Sequence, residues 1–381
     1  MGDRYKGRPD LALIELVESA KTACVFTQNK FCAAPVSLAK FHVKKSRPRF
    51  LVINSGNANA GTGLAGDKAA LSVCRAVAKH GSCRQEEVLP FSTGIIGELL
   101  NSDLIVDSIP RAFSDLSSDK WLDAAGAIIT TDTRIKARSA QIYIGDKKAS
   151  ITGIAKGSGM IKPNMATMLA FVAVDANISQ KTLDRICSDA SELSFNRITV
   201  DGDTSTNDAL ALISSGSLGN SEVNVGDADY ESVFRGILLV CQELAKDIAR
   251  DGEGATKFIT VNVSGGKSEG ECKNVAFAVA ESPLVKTALF AADANWGRVL
   301  AAVGRAIDSE TRIEDIDIKF GEHSIVANGL PADHDEDKLN DLLLLSDIEI
   351  NIALGKSQEE VTVWSCDLSY DYVRINAEYR S

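Results

Sequence analysis

The stretch ITGIAKGSGMIKPNMATMLAFVAV, residues 151–174, contains the most informative pattern in this sequence, two predicted strands joined by a loop. It opens as a strand, passes through a Gly-Ser-Gly turn and a Pro-Asn bend, and then enters a strongly apolar strand predicted at 168–174. The loop therefore delivers a small residue, Ala166, and a hydroxyl residue, Thr167, to the start of a strand that the pattern predicts to be buried.

Alternating strands and helices surround this stretch, without low-complexity tracts, an internal repeat or a Pro/Gly/Ser-rich linker. The patterns predict an α/β protein with several antiparallel strand pairs, not a regular series of βαβ units. The predicted helices are 67–79, 121–129, 180–193, 230–250 and 276–290. The predicted strands are 50–53, 88–91, the hairpin 141–144 and 149–154, 168–174, 316–320, 324–327, 348–353, 361–366 and 372–376.

The composition argues against several classes of protein. A net charge of −11 argues against nucleic-acid binding, because phosphate contacts need a dense Lys/Arg face. The eight cysteines contain no CxxC pair, as expected of reduced cysteines in an intracellular protein. No apolar run is long enough to span a membrane, and no signal peptide is evident. We therefore expect a cytoplasmic protein that binds neither nucleic acid nor membrane.

Three patterns resemble ligand sites but fail on spacing. The segment 201–205 begins like an EF-hand loop, but Thr206 stands where that loop needs glycine. The GKS at 355–357 resembles a phosphate loop, but Ile350 replaces its first glycine. The acidic run 333–337 is predicted to start a solvated helix and not to bind a metal. Neither a metal nor an organic cofactor is therefore expected.

A threonine whose own peptide bond to the preceding alanine is strained can become a catalytic nucleophile. Its hydroxyl attacks the preceding carbonyl, and hydrolysis of the resulting ester leaves Thr167 as a new N-terminus. The freed α-amine, with an ordinary pKa of about 7.7–8.0, is then a base next to the hydroxyl. On the residues alone, a Gly-Ser-Gly segment before a strand is usually only a turn, so the pattern permits self-cleavage without establishing it.

The segment 156–169 resembles, over its whole length, the cleavage motif of the ornithine acetyltransferase (glutamate N-acetyltransferase) family. Other segments that resemble the family occur in the family's order. They are LVINSGNANAGTG (51–63), STGIIGE (92–98), TTDT (130–133), FNRITVDGDTSTND (195–208), DGEGATK (251–257), NWGR (295–298) and NAEYRS (376–381). The resemblance covers nearly the entire chain. It implies a sandwich of β-sheets flanked by helices, a fold shared with some self-processing aminopeptidases.

The resemblance also implies roles for individual residues. Thr167 is the expected nucleophile, cleavage is expected between Ala166 and Thr167, and Thr93 with Gly94 is expected to form the oxyanion hole. Substrate contacts are expected from Thr130, Lys156, Thr167, Glu253, Asn376 and Ser381.

Cleavage would divide the chain into two fragments. The α chain, 1–166, would carry the oxyanion hole and part of the substrate site, and the β chain, 167–381, would begin at the nucleophile. The resemblance implies that both remain one interlocked body and that two copies of each form a heterotetramer.

The implied reaction is an acetyl transfer in arginine biosynthesis. Thr167 Oγ attacks the acetyl carbonyl of N2-acetyl-L-ornithine, L-ornithine leaves, and the amine of L-glutamate then attacks the acetyl-threonine ester. Whether acetyl-CoA also serves as a donor is open. A related self-processing amidase or aminopeptidase would use water as the acceptor instead. A non-catalytic binding protein of the same fold is disfavoured by the intact Ala-Thr and Thr-Gly pairs.

Overall fold

The computed structural model describes residues 7–162, 168–308 and 310–378, and the chain divides into two compact units. The first unit comprises Met1–Asn196 and Asp203–Ile248, and the second comprises Arg197–Gly202 and Ala249–Ser381. The predicted fold class, α/β with several sheets flanked by helices, is confirmed. The predicted cleavage position falls within the sequence range of the first unit and not at a boundary between units.

The first unit contains two β-sheets and the helices that cover them. Its elements are β1 (Leu11–Glu15), β2 (Lys21–Phe26), α1 (Ala34–Lys45), β3 (Phe50–Asn54), α2 (Gly63–His80), β4 (Val88–Ser92), α3 (Ser102–Ser114), α4 (Trp121–Ile128), β5 (Lys136–Ile144), β6 (Lys147–Lys156), β7 (Leu169–Val174), α5 (Gln180–Glu192), β8 (Ala209–Ser214) and α6 (Tyr230–Arg250). The last two residues of α6 belong to the second unit. One sheet has the order β1-β3-β4, and the other has the order β2-β8-β7-β6-β5.

These two sheets pack face to face between layers of helices. Alternate residues of β3 and β4 form one buried cluster with residues of β6, β7 and β8, and in it the Phe91 and Phe171 rings meet edge to face, 5.1 Å apart. The other residues of β3 and β4 pack against α2 and α3. Helix α6 covers the outer face of the five-stranded sheet, where a Cβ added to Gly153 would lie 2.9 Å from the Leu244 side chain. Burial on both faces explains why β3 and β4 are continuous apolar runs.

Strand β7 lies in the interior of its sheet. It pairs antiparallel with β6, where Lys156 faces Leu169, and parallel with β8, where Leu169 faces Ala209. The predicted hairpin is confirmed and is longer than expected, since β5 and β6 pair from Lys136↔Ala155 to Ile144↔Lys147. Residues 151–156 and 169–174 therefore form adjacent strands of one sheet.

The second unit is built on a single six-stranded sheet. Its elements are β9 (Phe258–Gly266), α7 (Glu269–Ala280), α8 (Pro283–Phe290), α9 (Trp296–Gly304), β10 (Asp317–Phe320), β11 (His323–Ala327), β12 (Leu330–Pro331), α10 (Glu336–Leu343), β13 (Asp347–Ala353), β14 (Glu359–Cys366) and α11 (Tyr370–Ala377). The strand order is β12-β11-β10-β13-β9-β14; among the described residues, β9 and β13 pair in parallel and the other neighbours pair antiparallel. Apolar residues of the sheet form one core with α7, α8, α9 and α10.

Two of the secondary-structure predictions for this unit are wrong. The helix predicted at 276–290 is two helices, because the Ser282 hydroxyl accepts the Val285 N–H as an N-cap and Pro283 occupies the first turn of α8. The strand predicted at 372–376 is part of α11, because the Ser369 hydroxyl accepts the Asp371 N–H at 3.2 Å and starts a helix. Local capping by a serine outweighs the apolar pattern at both places.

The remaining predicted elements are confirmed, with ends that differ by a few residues. The acidic run 333–337 does lead into a helix, since the Asp335 carboxylate accepts the Lys338 N–H and caps α10. Within the described ranges, no helix is both long enough and apolar enough to cross a membrane.

Candidate active site

The Ser-Thr-Gly segment at the end of β4 is held by the loop that follows β3. The Thr93 N–H donates to the Asn54 carbonyl at 3.0 Å. Gly94 has φ of +132°, and a Cβ added to it would lie 2.3 Å from the carbonyl carbon of Gly56. Only glycine fits this conformation and this close approach, so the backbone geometry explains why the Thr is followed by Gly.

Thr93 and Gly94 each offer a hydrogen-bond donor. Thr93 is buried, and its hydroxyl oxygen accepts a hydrogen bond from Lys156 Nζ at 3.0 Å. Because the lysine ammonium can only donate, the Thr93 hydroxyl hydrogen stays available for another acceptor. The N–H of Gly94 donates to no acceptor among the described residues. A hydroxyl and a backbone N–H on adjacent residues are the donors that an oxyanion hole requires.

A buried carboxylate, Asp132, connects two of the predicted substrate residues. Its Oδ2 accepts the Thr130 N–H at 3.0 Å, and its Oδ1 accepts the Gly157 N–H at 2.7 Å, directly after Lys156. The same Oδ1 accepts a hydrogen bond from Lys136 Nζ at 2.6 Å, in an ion pair whose side chains are both fully buried. Asp132 therefore fixes the backbone at both Thr130 and Gly157, where the predicted cleavage segment begins.

The charge of Asp132 is maintained by its neighbours. Burial opposes ionisation, but the attraction of Lys156 and Lys136 and the hydrogen bonds from Lys136 and Gly157 outweigh it and lower the pKa of Asp132 to about 2. The carboxylate is thus ionised throughout the physiological pH range. Neither Asp132 nor Lys136 was predicted from the sequence to belong to the site. Asp132 stood inside the quoted TTDT segment, whereas nothing in the sequence marked Lys136.

The second unit brings two more of the predicted residues together. Asn376 Nδ2 donates to Glu253 Oε2 at 2.8 Å, and Glu253 is 7% exposed. The loop that carries Glu253 packs on the start of α11, since a Cβ added to Gly254 (φ +69°) would lie 2.5 Å from the Tyr372 nitrogen. This close packing fixes Glu253 relative to the helix that carries Asn376.

The structure thus groups the predicted residues into two sets. Thr93, Gly94, Thr130 and Lys156 belong to the first unit, and Glu253 and Asn376 belong to the second. The predicted nucleophile and cleavage pair, Ala166 and Thr167, and the predicted substrate residue Ser381 lie outside the described residues.

The chain is similar to proteins of one family over its whole length. The model of the ArgJ family matches residues 1–381. The arginine biosynthesis bifunctional protein ArgJ of Psychrobacter arcticus is 49% identical over 382 residues, which cover 100% of this chain and 94% of that protein. The protein of the same name from Methylococcus capsulatus is 49% identical over 379 residues, covering 99% of this chain and 93% of that protein.

A solved structure shows a similar fold. The crystal structure of arginine biosynthesis bifunctional protein argJ from Bacillus halodurans superposes with a TM-score of 0.54 at 42% sequence identity. The match covers 56% of this chain and 100% of that chain.

Proposed function

Because this chain belongs to the ArgJ family, whose relatives carry the name arginine biosynthesis bifunctional protein, we propose that it is an acetyltransferase of arginine biosynthesis. It moves the acetyl group of N2-acetyl-L-ornithine to L-glutamate and releases L-ornithine and N-acetyl-L-glutamate. The acetyl group is carried between the two substrates on Thr167, which self-cleavage after Ala166 exposes as an N-terminal residue.

One observation carries this proposal. Lys156 Nζ lies 3.0 Å from Thr93 Oγ1, and Lys156 faces Leu169 across the β6–β7 pair. Leu169 is two residues after Thr167 along the chain. The Thr-Gly pair with its two available donors is therefore linked, through Lys156, to Leu169, the first residue of the strand that begins just after Thr167.

The residues predicted for the site have the chemistry that acyl transfer needs. The Thr93 hydroxyl and the Gly94 N–H stabilise the oxygen of the tetrahedral intermediate that forms when Thr167 attacks the acetyl carbonyl. The freed α-amine of Thr167 accepts the proton of the hydroxyl. Lys156 attracts the α-carboxylate that ornithine and glutamate share, as a charge-assisted donor. Glu253 pairs with a substrate amine or with the α-amine of Thr167. Thr130, Asn376 and Ser381 donate further hydrogen bonds to the substrate.

Two predictions about the cleaved protein belong to the same proposal. The fragments 1–166 and 167–381 remain one body, because β6 precedes the cut, β7 follows it, and the two strands are paired from Ile151↔Val174 to Lys156↔Leu169. Two copies of each fragment form a heterotetramer. We further propose that the chemistry needs neither a metal nor an organic cofactor, and that acetyl-CoA can act as a second acetyl donor.

The test is to trap the acetyl-enzyme. With N-acetylornithine and no glutamate, a gain of one acetyl group on the N-terminal peptide of fragment 167–381 is expected by mass spectrometry. Glutamate should then discharge the label into N-acetylglutamate. Steady release of acetate without glutamate would instead identify the water-using amidase. If neither acetyl-enzyme nor exchange of labelled ornithine is seen, the covalent role of Thr167 is wrong.

A further inference from the structure

We propose that Asn207 is a positioning residue that holds the oxyanion-hole peptide in place relative to the strand that follows the nucleophile. This inference rests on the proposed role of Thr93 and Gly94. Asn207 is buried, and its side-chain Nδ2 donates two hydrogen bonds, to the Ser92 carbonyl at 2.8 Å and to the Ala58 carbonyl at 2.6 Å.

The Ser92 carbonyl belongs to the same planar peptide as the Thr93 N–H. Asn207 holds the carbonyl end of that peptide, and the Asn54 carbonyl holds the N–H end at 3.0 Å. With both ends fixed, the peptide cannot rotate without breaking a buried hydrogen bond. Rotation would displace the Gly94 N–H, which is the next donor along the chain. The side chain of Asn207 therefore controls the direction of the donors that an oxyanion would meet.

The second contact of Asn207 supports the same region from the loop side. The Ala58 carbonyl accepts from Asn207, while the Ala58 N–H donates to the Ile95 carbonyl at 2.9 Å, immediately after Gly94. Asn207 thus braces both the segment that precedes the Thr-Gly pair and the loop that packs on the segment after it.

Asn207 lies where it can connect the two sheets of the first unit. Asn207 lies two residues before β8, and the Ala209 N–H that opens β8 donates to the Met168 carbonyl at 3.0 Å. Met168 directly follows Thr167 in the chain. Ser92, in contrast, ends β4 in the other sheet. Asn207 therefore joins the sheet that carries the oxyanion donors to the sheet that continues from the nucleophile, and small errors in such spacing are costly to catalysis.

The orientation of the Asn207 amide follows from its neighbours. Thr206 Oγ1 lies 2.7 Å from Asn207 Oδ1, and this hydroxyl can donate to the oxygen. The two carbonyls on the other side can only accept, so the NH₂ group must face them. An aspartate at this position would instead place a carboxylate oxygen against the two carbonyl oxygens and reverse both interactions.

Steady-state kinetics of Asn207→Ala and Asn207→Asp test the inference. Rates are expressed per cleaved chain, counted by intact-protein mass spectrometry, so that impaired self-cleavage does not count as slow chemistry. Asn207→Ala should lower kcat by about 10- to 100-fold while KM for N-acetylornithine changes by less than about threefold. Asn207→Asp should be slower still. Its rate relative to wild type should rise as the pH is lowered, because a protonated carboxyl can donate.

Asn220→Asp is the matched control. Asn220 Nδ2 also donates to two backbone carbonyls, those of Asn177 and Ser221, in a loop away from the Thr-Gly pair. This variant should keep the wild-type kcat. Unfolding in urea should show a larger loss of stability for Asn207→Asp than for Asn220→Asp, because Asn207 is buried and Asn220 is partly exposed, and both variants should remain folded under the assay conditions.

The variant Thr93→Ala distinguishes a failure of the Asn207 role from a failure of the oxyanion role proposed for Thr93 and Gly94. If Thr93→Ala leaves kcat unchanged, the oxyanion assignment itself is wrong. If Thr93→Ala lowers kcat but cleaved Asn207→Ala keeps at least a third of it, or raises KM alone, the positioning role of Asn207 is overturned. Failure of both Asn207 variants to fold would also overturn it, since the residue would then serve the fold and not the site.

Discussion

The Thr93 hydroxyl oxygen accepts from the ammonium of Lys156 at 3.0 Å, so the hydroxyl hydrogen remains available to donate to an oxyanion. Thr93→Ala should therefore lower kcat by about 100- to 1,000-fold, the usual cost of removing one oxyanion-hole donor, with a small change in KM. Acetyl-transfer kinetics per cleaved chain provide the measurement. Thr22→Ala is the control variant: Thr22 is also a buried threonine but lies in β2, and this variant should retain wild-type kcat. A large rise in KM with kcat intact would assign Thr93 to substrate binding.

Thr167 is the residue on which processing and catalysis both depend. Thr167→Ala removes the hydroxyl, so denaturing electrophoresis should show one uncut, inactive chain. Thr167→Ser keeps a hydroxyl and should still yield the fragments 1–166 and 167–381. A Thr167→Ala protein that is fully divided into these fragments would contradict autocatalytic cleavage.

Asp132 makes stability depend on pH in a defined window. Its pKa is lowered from 3.8 to about 2 in the folded protein, so its contribution is complete above about pH 4 and is lost as the pH falls toward 2. The contribution amounts to about 2 kcal/mol. The difference in unfolding free energy between wild type and Asp132→Asn should shrink by that amount from pH 5 to pH 2.

Asp247→Asn provides the comparison for this measurement. Asp247 pairs with the exposed Arg138 at 2.7 Å, and such a pair contributes little. The difference in unfolding free energy between wild type and Asp247→Asn should stay small at every pH. An Asp132→Asn difference that is flat between pH 5 and pH 2 would show that the carboxylate is not stabilised by the buried lysines.

At the scale of elements, the loop that carries Glu253 depends on its packing against α11. Gly254→Ala adds a Cβ that would lie 2.5 Å from the Tyr372 nitrogen, so the loop and the helix must separate. Separation breaks the Glu253–Asn376 hydrogen bond of 2.8 Å, and we expect KM for N-acetylornithine to rise by about tenfold.

Gly219→Ala controls for backbone strain in this experiment. Gly219 has φ of +67°, close to the +69° of Gly254, but the nearest atom to its added Cβ is the flexible Lys147 Nζ at 3.8 Å. Its strain is therefore similar, about 1 kcal/mol, without the steric clash. Equal KM values for Gly254→Ala and wild type would remove Glu253 and Asn376 from the substrate site.

At the scale of the whole molecule, the predicted cut separates two paired strands. Because β6 and β7 pair along six residue positions, the fragments 1–166 and 167–381 should elute together in native size-exclusion chromatography. They should separate only after urea has unfolded the protein. Free fragment 1–166 in native buffer would mean that the shared sheet does not hold the cleaved enzyme together.

The sequence by itself determined features that depend on neighbouring residues along the chain. Apolar periodicity located α2, α5 and α6 and most strands, and the long quoted segments identified the family and the Thr-Gly pair. Where a cap competed with periodicity, as at Ser282 and Ser369, the sequence prediction was wrong. Hydrogen bonds within a single turn decided those ends, and an apolar pattern does not report them.

The tertiary structure alone decided which distant residues meet. Nothing along the chain places Lys156 on Thr93 or Asn207 on the Ser92 carbonyl. These two contacts link segments 63 and 115 positions apart and exist because two different sheets pack face to face. Side-chain chemistry makes each contact possible, but strand order and the packing of the sheets bring the atoms within hydrogen-bonding distance. The physical reason is that a hydrogen bond requires a separation of about 3 Å, which sequence patterns do not specify.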